Sequence, residues 1–128
     1  MKIVYLIIFS FLGGMTRCLI SISLNTNSFP LGTLAINISG CFFLAFIVQG
    51  LASFSFFSND LITGLGTGLV GSYTTFSTFA LESVHFLQDG NIPFFIIYVI
   101  GSMFGGLLAA KLGYWVGNNA FKLGSESY

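Results

Sequence analysis

Four long apolar stretches, residues 3–24, 31–56, 61–87 and 93–116, are separated by short polar clusters at 25–30, 57–60 and 88–92. Each stretch reaches the roughly 20 residues a helix needs to cross a hydrocarbon core. The clusters carry turn-forming residues: Asn25, Asn27, Pro30, Asn59, Asp60, Asp89, Gly90 and Asn91. The pattern predicts an all-α membrane protein, one domain over 1–128 with four transmembrane helices. An even number of spans puts both termini on one side. The opening run, Met1-Lys2-Ile3 onward, superficially resembles a secretory signal, but no small-residue cleavage site follows and the run continues past Arg17. It reads as the first span.

The third stretch carries an interruption. Residues 71–79 read GSYTTFSTF, with Thr74, Thr75, Ser77 and Thr78 set in an apolar run. Short hydroxylated and β-branched side chains make poor plain helix, and in lipid each freed backbone group needs a partner. Gly64, Gly66, Gly68 and Gly71 lead into it, allowing close packing or a turn of the backbone. The third helix is therefore expected to break mid-membrane, at 71–74, and to line a pathway. A hard cation, ordered water or side-chain hydroxyls would each satisfy the exposed carbonyls, and the sequence does not choose among them.

Composition strengthens the membrane reading. Of 128 residues, 55% are hydrophobic and 6% charged, against roughly 25% charged in soluble domains. Four Lys and Arg with four Asp and Glu cannot cover a soluble surface. Net charge is zero and no basic patch exists, which leaves lipid as the surroundings and no nucleic-acid partner. Cys18 and Cys41 match no zinc or redox spacing and read as small buried hydrophobes. Lys2, Lys111 and Lys122 on the terminal side oppose Arg17 alone. So slight a bias fits either cytoplasmic termini or insertion in both orientations.

Candidate chemistry is sparse. Arg17 either snorkels or draws anions to a vestibule. Thr33, Asn37 and Cys41 are spaced by four and share a helix face. Asn37 either cross-links helices or offers its amide to a pathway. Glu82 follows Phe79 by one turn, and His85, near a span end, reads as solvated or capping. In the fourth span Gly101, Gly105, Ala109, Gly113 and Gly117 form a packing stripe, and Tyr98 and Ser102 bring two hydroxyls to a neighbouring one. An enzyme needs a nucleophile with a base or a set of metal ligands, and neither is evident. A proton-coupled exporter of the small multidrug resistance type needs an acid in its first span, whereas the first acid here is Asp60. A channel fits better. Neutral donors at Asn37, Thr33, Thr74, Thr75, Ser77, Thr78, Tyr98 and Ser102 can replace an ion's hydration without trapping it. The positive ring edges of Phe76 and Phe79 favour a small anion, although periodicity alone equally allows both rings as core packing.

Gly13-Gly14 before Arg17, Gly32-Thr33-Leu34 with Asn37 and Gly40, and Gly71 with Thr74-Thr75-Phe76-Ser77-Thr78-Phe79 resemble the CrcB-type fluoride channels, also called Fluc. The likeness runs over essentially the whole chain, and the Thr-Thr-Phe-Ser-Thr-Phe run is its most specific part. It implies a passive fluoride channel of the bacterial-type plasma (inner) membrane, a dual-topology homodimer of antiparallel subunits with two pores and one central structural sodium ion. It implies that backbone carbonyls of Gly71 and Thr74 hold the sodium. Phe76 and Phe79 would line the fluoride path beside Thr75 and Thr78, and Asn37 would be the pore amide. Thr33, Tyr98 and Ser102 match pore-associated hydroxyls, Arg17 the first-span arginine and Glu82 the acid near the pore end. Cys18, Ala45, Ser72 and Tyr73 depart from the family's common residues without touching these donors.

Overall fold

The computed structural model of the chain describes residues 1–24 and 28–125. The turn residues Asn25 and Asn27, and 126–128 of the polar tail, lie outside the described residues. The described elements are all helical. They are α1 (Lys2–Ser23), α2 (Leu31–Gln49), a 3-10 turn (Leu51–Ser53), α3 (Asn59–Thr63), a π-helical run (Gly64–Val70), α4 (Gly71–Tyr73), α5 (Phe76–Gln88) and α6 (Ile92–Ser125). Three helical segments, Lys2–Ser23, Leu31–Ser53 and Ile92–Ala120, are long and apolar enough to cross a membrane. The chain is a multi-pass membrane protein. The third apolar stretch yields no single helix of that length, because it is divided into α3, the π-helical run, α4 and α5.

Helix ends depart from the apolar stretches for local reasons. Apolar sequence runs to 56, but α2 stops at Gln49, where the Gly50 N–H is shared between the Phe46 and Ile47 carbonyls and the chain tightens into the 3-10 turn. Phe54 then turns extended, which leaves Phe56 off the helix and 88% exposed. Ser58 caps α3 by accepting the Leu61 N–H at 3.2 Å. Past α5, Gly90 takes φ +71° while the Asn91 N–H returns to the Phe86 carbonyl at 2.8 Å, a tight stop that requires glycine. Asn91 is also the start signal of α6, its side-chain oxygen accepting the Phe94 N–H at 3.4 Å. Pro93 fits that first turn, where its missing N–H is not needed. The polar tail expected from Lys122 begins inside α6, which continues to Ser125.

Small residues set the packing. α2 lies along α6, α1 lies against the π-helical run and α4, and α5 rests on α6. Gly105 faces Ile38, Gly113 faces the Phe42 backbone and Gly117 faces Gly50, so this part of the α6 small-residue stripe is the seam with α2. On α1, Gly13 lies against the Leu69 carbonyl and the Ser72 hydroxyl, while Gly64 and Gly68 admit Tyr5, Leu6 and Phe9. Lipid supplies no hydrophobic drive between helices, so this close approach is what holds the bundle together. Cys18, read as buried from the sequence, is exposed on this single chain because α1 presents that face outward; Cys41 is half-buried.

Candidate functional site

The helix break falls at Thr74 (φ −79°, ψ 157°) and Thr75 (φ −145°, ψ 117°), both extended. It comes at the late end of the expected stretch, since Gly71 is still helical at φ −62°, ψ −34°. The wide π-helical turns of Gly64–Val70 precede it, a geometry that recurs at functional sites. The threonines themselves make the break. The Thr74 hydroxyl donates back to the Val70 carbonyl at 3.0 Å, closing the upstream helix. The Thr75 hydroxyl accepts the Thr78 N–H at 3.3 Å and donates to Thr78 Oγ1 at 3.0 Å, opening α5. The Thr74 methyl sits where a Cβ at Gly40 would stand, so α2 can meet the break only with glycine at that position.

Asn37 completes it from α2. Its Nδ2 donates to the Thr75 carbonyl and its Oδ1 accepts the Thr75 N–H, each at 2.9 Å. One side chain thus satisfies both backbone groups of a residue that belongs to no helix. One Nδ2 hydrogen makes that bond, and the amide carries a second. An unbroken helix would pair the Gly71 carbonyl with the Thr75 N–H and the Thr74 carbonyl with the Thr78 N–H. Those two N–H groups are given to Asn37 and to the Thr75 hydroxyl instead. Gly71 and Thr74 line a groove of about 300 Å³ together with Asn37, Thr75 and Phe76.

A second cluster centres on Glu82. Thr33 Oγ1 donates to Oε1 at 3.0 Å and the Tyr98 hydroxyl to Oε2 at 2.6 Å. Both donors are buried, Tyr98 fully. Its ring is walled by Phe29 and Phe86, near-perpendicular at 5.6 and 5.9 Å, and by Phe79 at 5.1 Å. Short bonds to a carboxylate are the stronger kind. Thr33, Thr78 and Glu82 also line a polar pocket of about 210 Å³ beside Ser21 and Pro30. Thr78 therefore belongs to both clusters.

The remaining expected residues fall around these. Phe76 is 79% exposed, and its ring lies 6.0 Å from that of half-buried Phe79. Ser102 Oγ is buried and has no hydrogen-bond partner. Arg17 is half-buried on α1 and belongs to neither cluster. The sequence reading missed that Glu82 gathers the hydroxyls of Thr33 and Tyr98. It also missed a contact of Ser39 Oγ with the Tyr73 hydroxyl at 2.8 Å. Residues 33, 82 and 98 are remote in sequence, and no local pattern joins them. Ser39 carries a weak signal, lying two residues from Asn37 on the same helix.

The family described as CrcB-like protein, Camphor Resistance (CrcB), matches residues 4–114. A Listeria innocua protein named fluoride-specific ion channel FluC 2 is 41% identical over 126 residues, covering 98% of both chains. Its Listeria monocytogenes serotype 4b namesake is 40% identical, also over 98% of both. A fluoride-specific ion channel FluC 1 of Bacillus cereus is 40% identical over 94% of this chain and 88% of the relative.

Proposed function

The chain belongs to the CrcB-like protein family, and from that membership we propose that it is a fluoride-selective passive channel that lets fluoride leave the cell and lowers its cytoplasmic level. Its relatives carry the fluoride-specific name over nearly their whole length. The observation that carries the reading in this chain is the break between α4 and α5, held open by Asn37. Helix carbonyls end on one side of it and a helix N-terminus begins on the other. The first end is negative in character and the second positive. Broken spans in transporters use these two ends for a cation and an anion respectively. The anion side carries Thr75, Ser77 and Thr78 hydroxyls linked at 3.0–3.4 Å, with Phe76 and Phe79 beside them. Fluoride holds water tightly, so passage requires donors that replace the hydration shell without a fixed cation to retain the ion. The Asn37 amide, these hydroxyls and the unpartnered Ser102 hydroxyl have that character. A proton-coupled exporter is not favoured, because the first span carries no acid and the relatives are named fluoride-specific ion channels.

In this reading the segments from α3 to α5 together form a third span between the second and the last, giving four. Two chains pair antiparallel in a bacterial-type plasma membrane as a dual-topology homodimer. A structural sodium ion fits the Gly71 and Thr74 carbonyls, which have lost their helical partners and line one groove. Among the described residues no three His, Cys, Asp or Glu side chains gather as metal ligands, so backbone oxygen is the donor set on offer. Sodium bound there would neutralise the carbonyl end of the break and stiffen it. Arg17 and Glu82 belong to the vestibules, and Thr33 and Tyr98 to the hydroxyl-lined route.

Reconstituted protein in potassium fluoride liposomes tests the function. With potassium shunted by an ionophore, fluoride is released and chloride retained. Absence of fluoride release from folded protein, or release that needs a pH gradient, refutes a passive channel.

A further inference from the structure

We infer that the Tyr73–Ser39 hydrogen bond locks the register of the break, which makes Tyr73 a positioning residue for the groove. The inference deepens the channel reading and rests on it. The Ser39 hydroxyl donates to the Ala35 carbonyl at 2.7 Å and also lies 3.1 Å from that of Ile36. Its proton is therefore engaged, and in the 2.8 Å contact Tyr73 is the donor. Tyr73 is the last residue of α4, immediately before the break. Its ring lies against Gly40, where a Cβ would stand 3.7 Å from Cδ1.

α2 thus grips three consecutive residues. Ser39 takes Tyr73, Gly40 seats the Thr74 methyl and Asn37 takes the Thr75 backbone. The need for the upstream grip comes from Gly64–Val70. A π-helical run accommodates extra chain per turn, and relaxing it to α-helix would advance the following residues by about one position, roughly 100° of rotation. That slip would carry Gly71 and Thr74 away from the groove they line. The Asn37 pairing holds Thr75 and the Thr75 cap holds α5, but neither ties the residue before the break to α2. The Tyr73 hydroxyl does, from a side chain whose removal by Tyr73→Phe costs one oxygen and no ring volume.

The experiment uses the full chain in liposomes and detergent, with Tyr73→Phe, Ser39→Ala, Ser39→Thr and the double variant Tyr73→Phe/Ser39→Ala. The readouts are fluoride efflux against sodium concentration, amide exchange at Thr74 and Thr75, and protection from thermal unfolding by sodium relative to a large organic cation. Tyr73→Phe and Ser39→Ala should each raise the sodium needed for half-maximal efflux and protection about fivefold, the factor carried by one hydrogen bond of about 1 kcal/mol. Both should speed exchange at Thr74 and Thr75. The double variant should go no further than either single one, and Ser39→Thr should keep wild-type values. A lower melting temperature with unchanged sodium dependence and exchange reduces the pair to ordinary packing and overturns the inference, as do additive effects in the double variant. If one variant fails to fold, the other single variant and Ser39→Thr decide. If the wild-type chain conducts no fluoride, the channel reading fails, while exchange at Thr74 and Thr75 still decides whether the lock exists.

Discussion

Asn37 and the backbone of Thr75 form a closed two-bond pair, N–H to carbonyl in both directions at 2.9 Å. It is the pairing one β-strand residue offers another, made here by a helix side chain to a residue between two helices. Away from water, each of these backbone groups costs about 1–3 kcal/mol if left alone. Asn37→Ala strands both. The expected result is loss of fluoride efflux with a clearly lowered unfolding temperature. Asn37→Asp keeps an acceptor for the Thr75 N–H but sets a carboxylate against the Thr75 carbonyl and adds a negative charge. It should abolish efflux even where the protein survives purification. Wild-type efflux from either variant would rule out the pair as the strut of the break.

Phe79 and Phe76 make separable contributions. The Phe79 ring lies 5.1 Å from that of Tyr98, whereas Phe76 stands 79% exposed. Aromatic pairs carry about 0.5–1.5 kcal/mol beyond their burial. Phe79→Ile removes a ring edge from the proposed path and a wall from Tyr98. Efflux should fall about tenfold, matching about 1.4 kcal/mol on the barrier, with the elution volume on size exclusion unchanged. Unchanged efflux from Phe79→Ile would remove the ring edge from the mechanism at that position.

Much of this arrangement is legible in the chain. The apolar stretches locate α1, α2 and α6, because length and hydropathy alone decide which segments suit lipid. The cluster around Thr74 locates the break, because hydroxyls that compete for backbone groups disfavour continuous helix. Its placement at Thr74–Thr75 depends on Asn37, which lies 38 residues away and leaves no local trace. The end of α2 was illegible for a similar reason. Phe54 and Phe56 prolong the hydrophobic pattern, while the backbone tightens at Gly50 into 3-10 geometry and turns extended at Phe54. Glu82 reads from sequence as a lone acid near a pore end. That it gathers Thr33 and Tyr98 is a property of three helices meeting, which periodicity within one of them cannot express.

That meeting point is testable by comparing variants. Tyr98 is fully buried and its hydroxyl lies 2.6 Å from Glu82. Glu82→Ala leaves that hydroxyl and the one on Thr33 without their acceptor. Tyr98→Phe removes one donor and leaves the carboxylate with Thr33. Removing one partner of a buried bond costs more than removing both. The order of unfolding temperatures should be wild type, Tyr98→Phe, then Glu82→Ala, and Tyr98→Phe/Glu82→Ala should recover part of the Glu82→Ala loss. A strictly additive double variant would mean that the carboxylate and the phenol do not act as a pair.

The small-residue stripe of α6 makes an internal control possible, because its glycines are not equivalent. A Cβ at Gly113 would meet the Phe42 backbone of α2, whereas one at Gly101 finds nothing within 4 Å. Backbone cannot yield as a flexible side chain can, so Gly113→Ala must push α6 away from α2. Overpacking of this kind typically costs about 1–3 kcal/mol. Gly101→Ala meets no such obstacle within the chain and gains up to about 1 kcal/mol of helix propensity. Thermal unfolding in detergent should therefore separate them, Gly113→Ala below wild type and Gly101→Ala equal to it or above. Efflux should follow the same order, since α2 carries Asn37 and α6 carries Tyr98 and Ser102, and any widening of their seam moves one set of donors against the other. Equal stability for the two variants would show that α2 and α6 are not held at glycine distance.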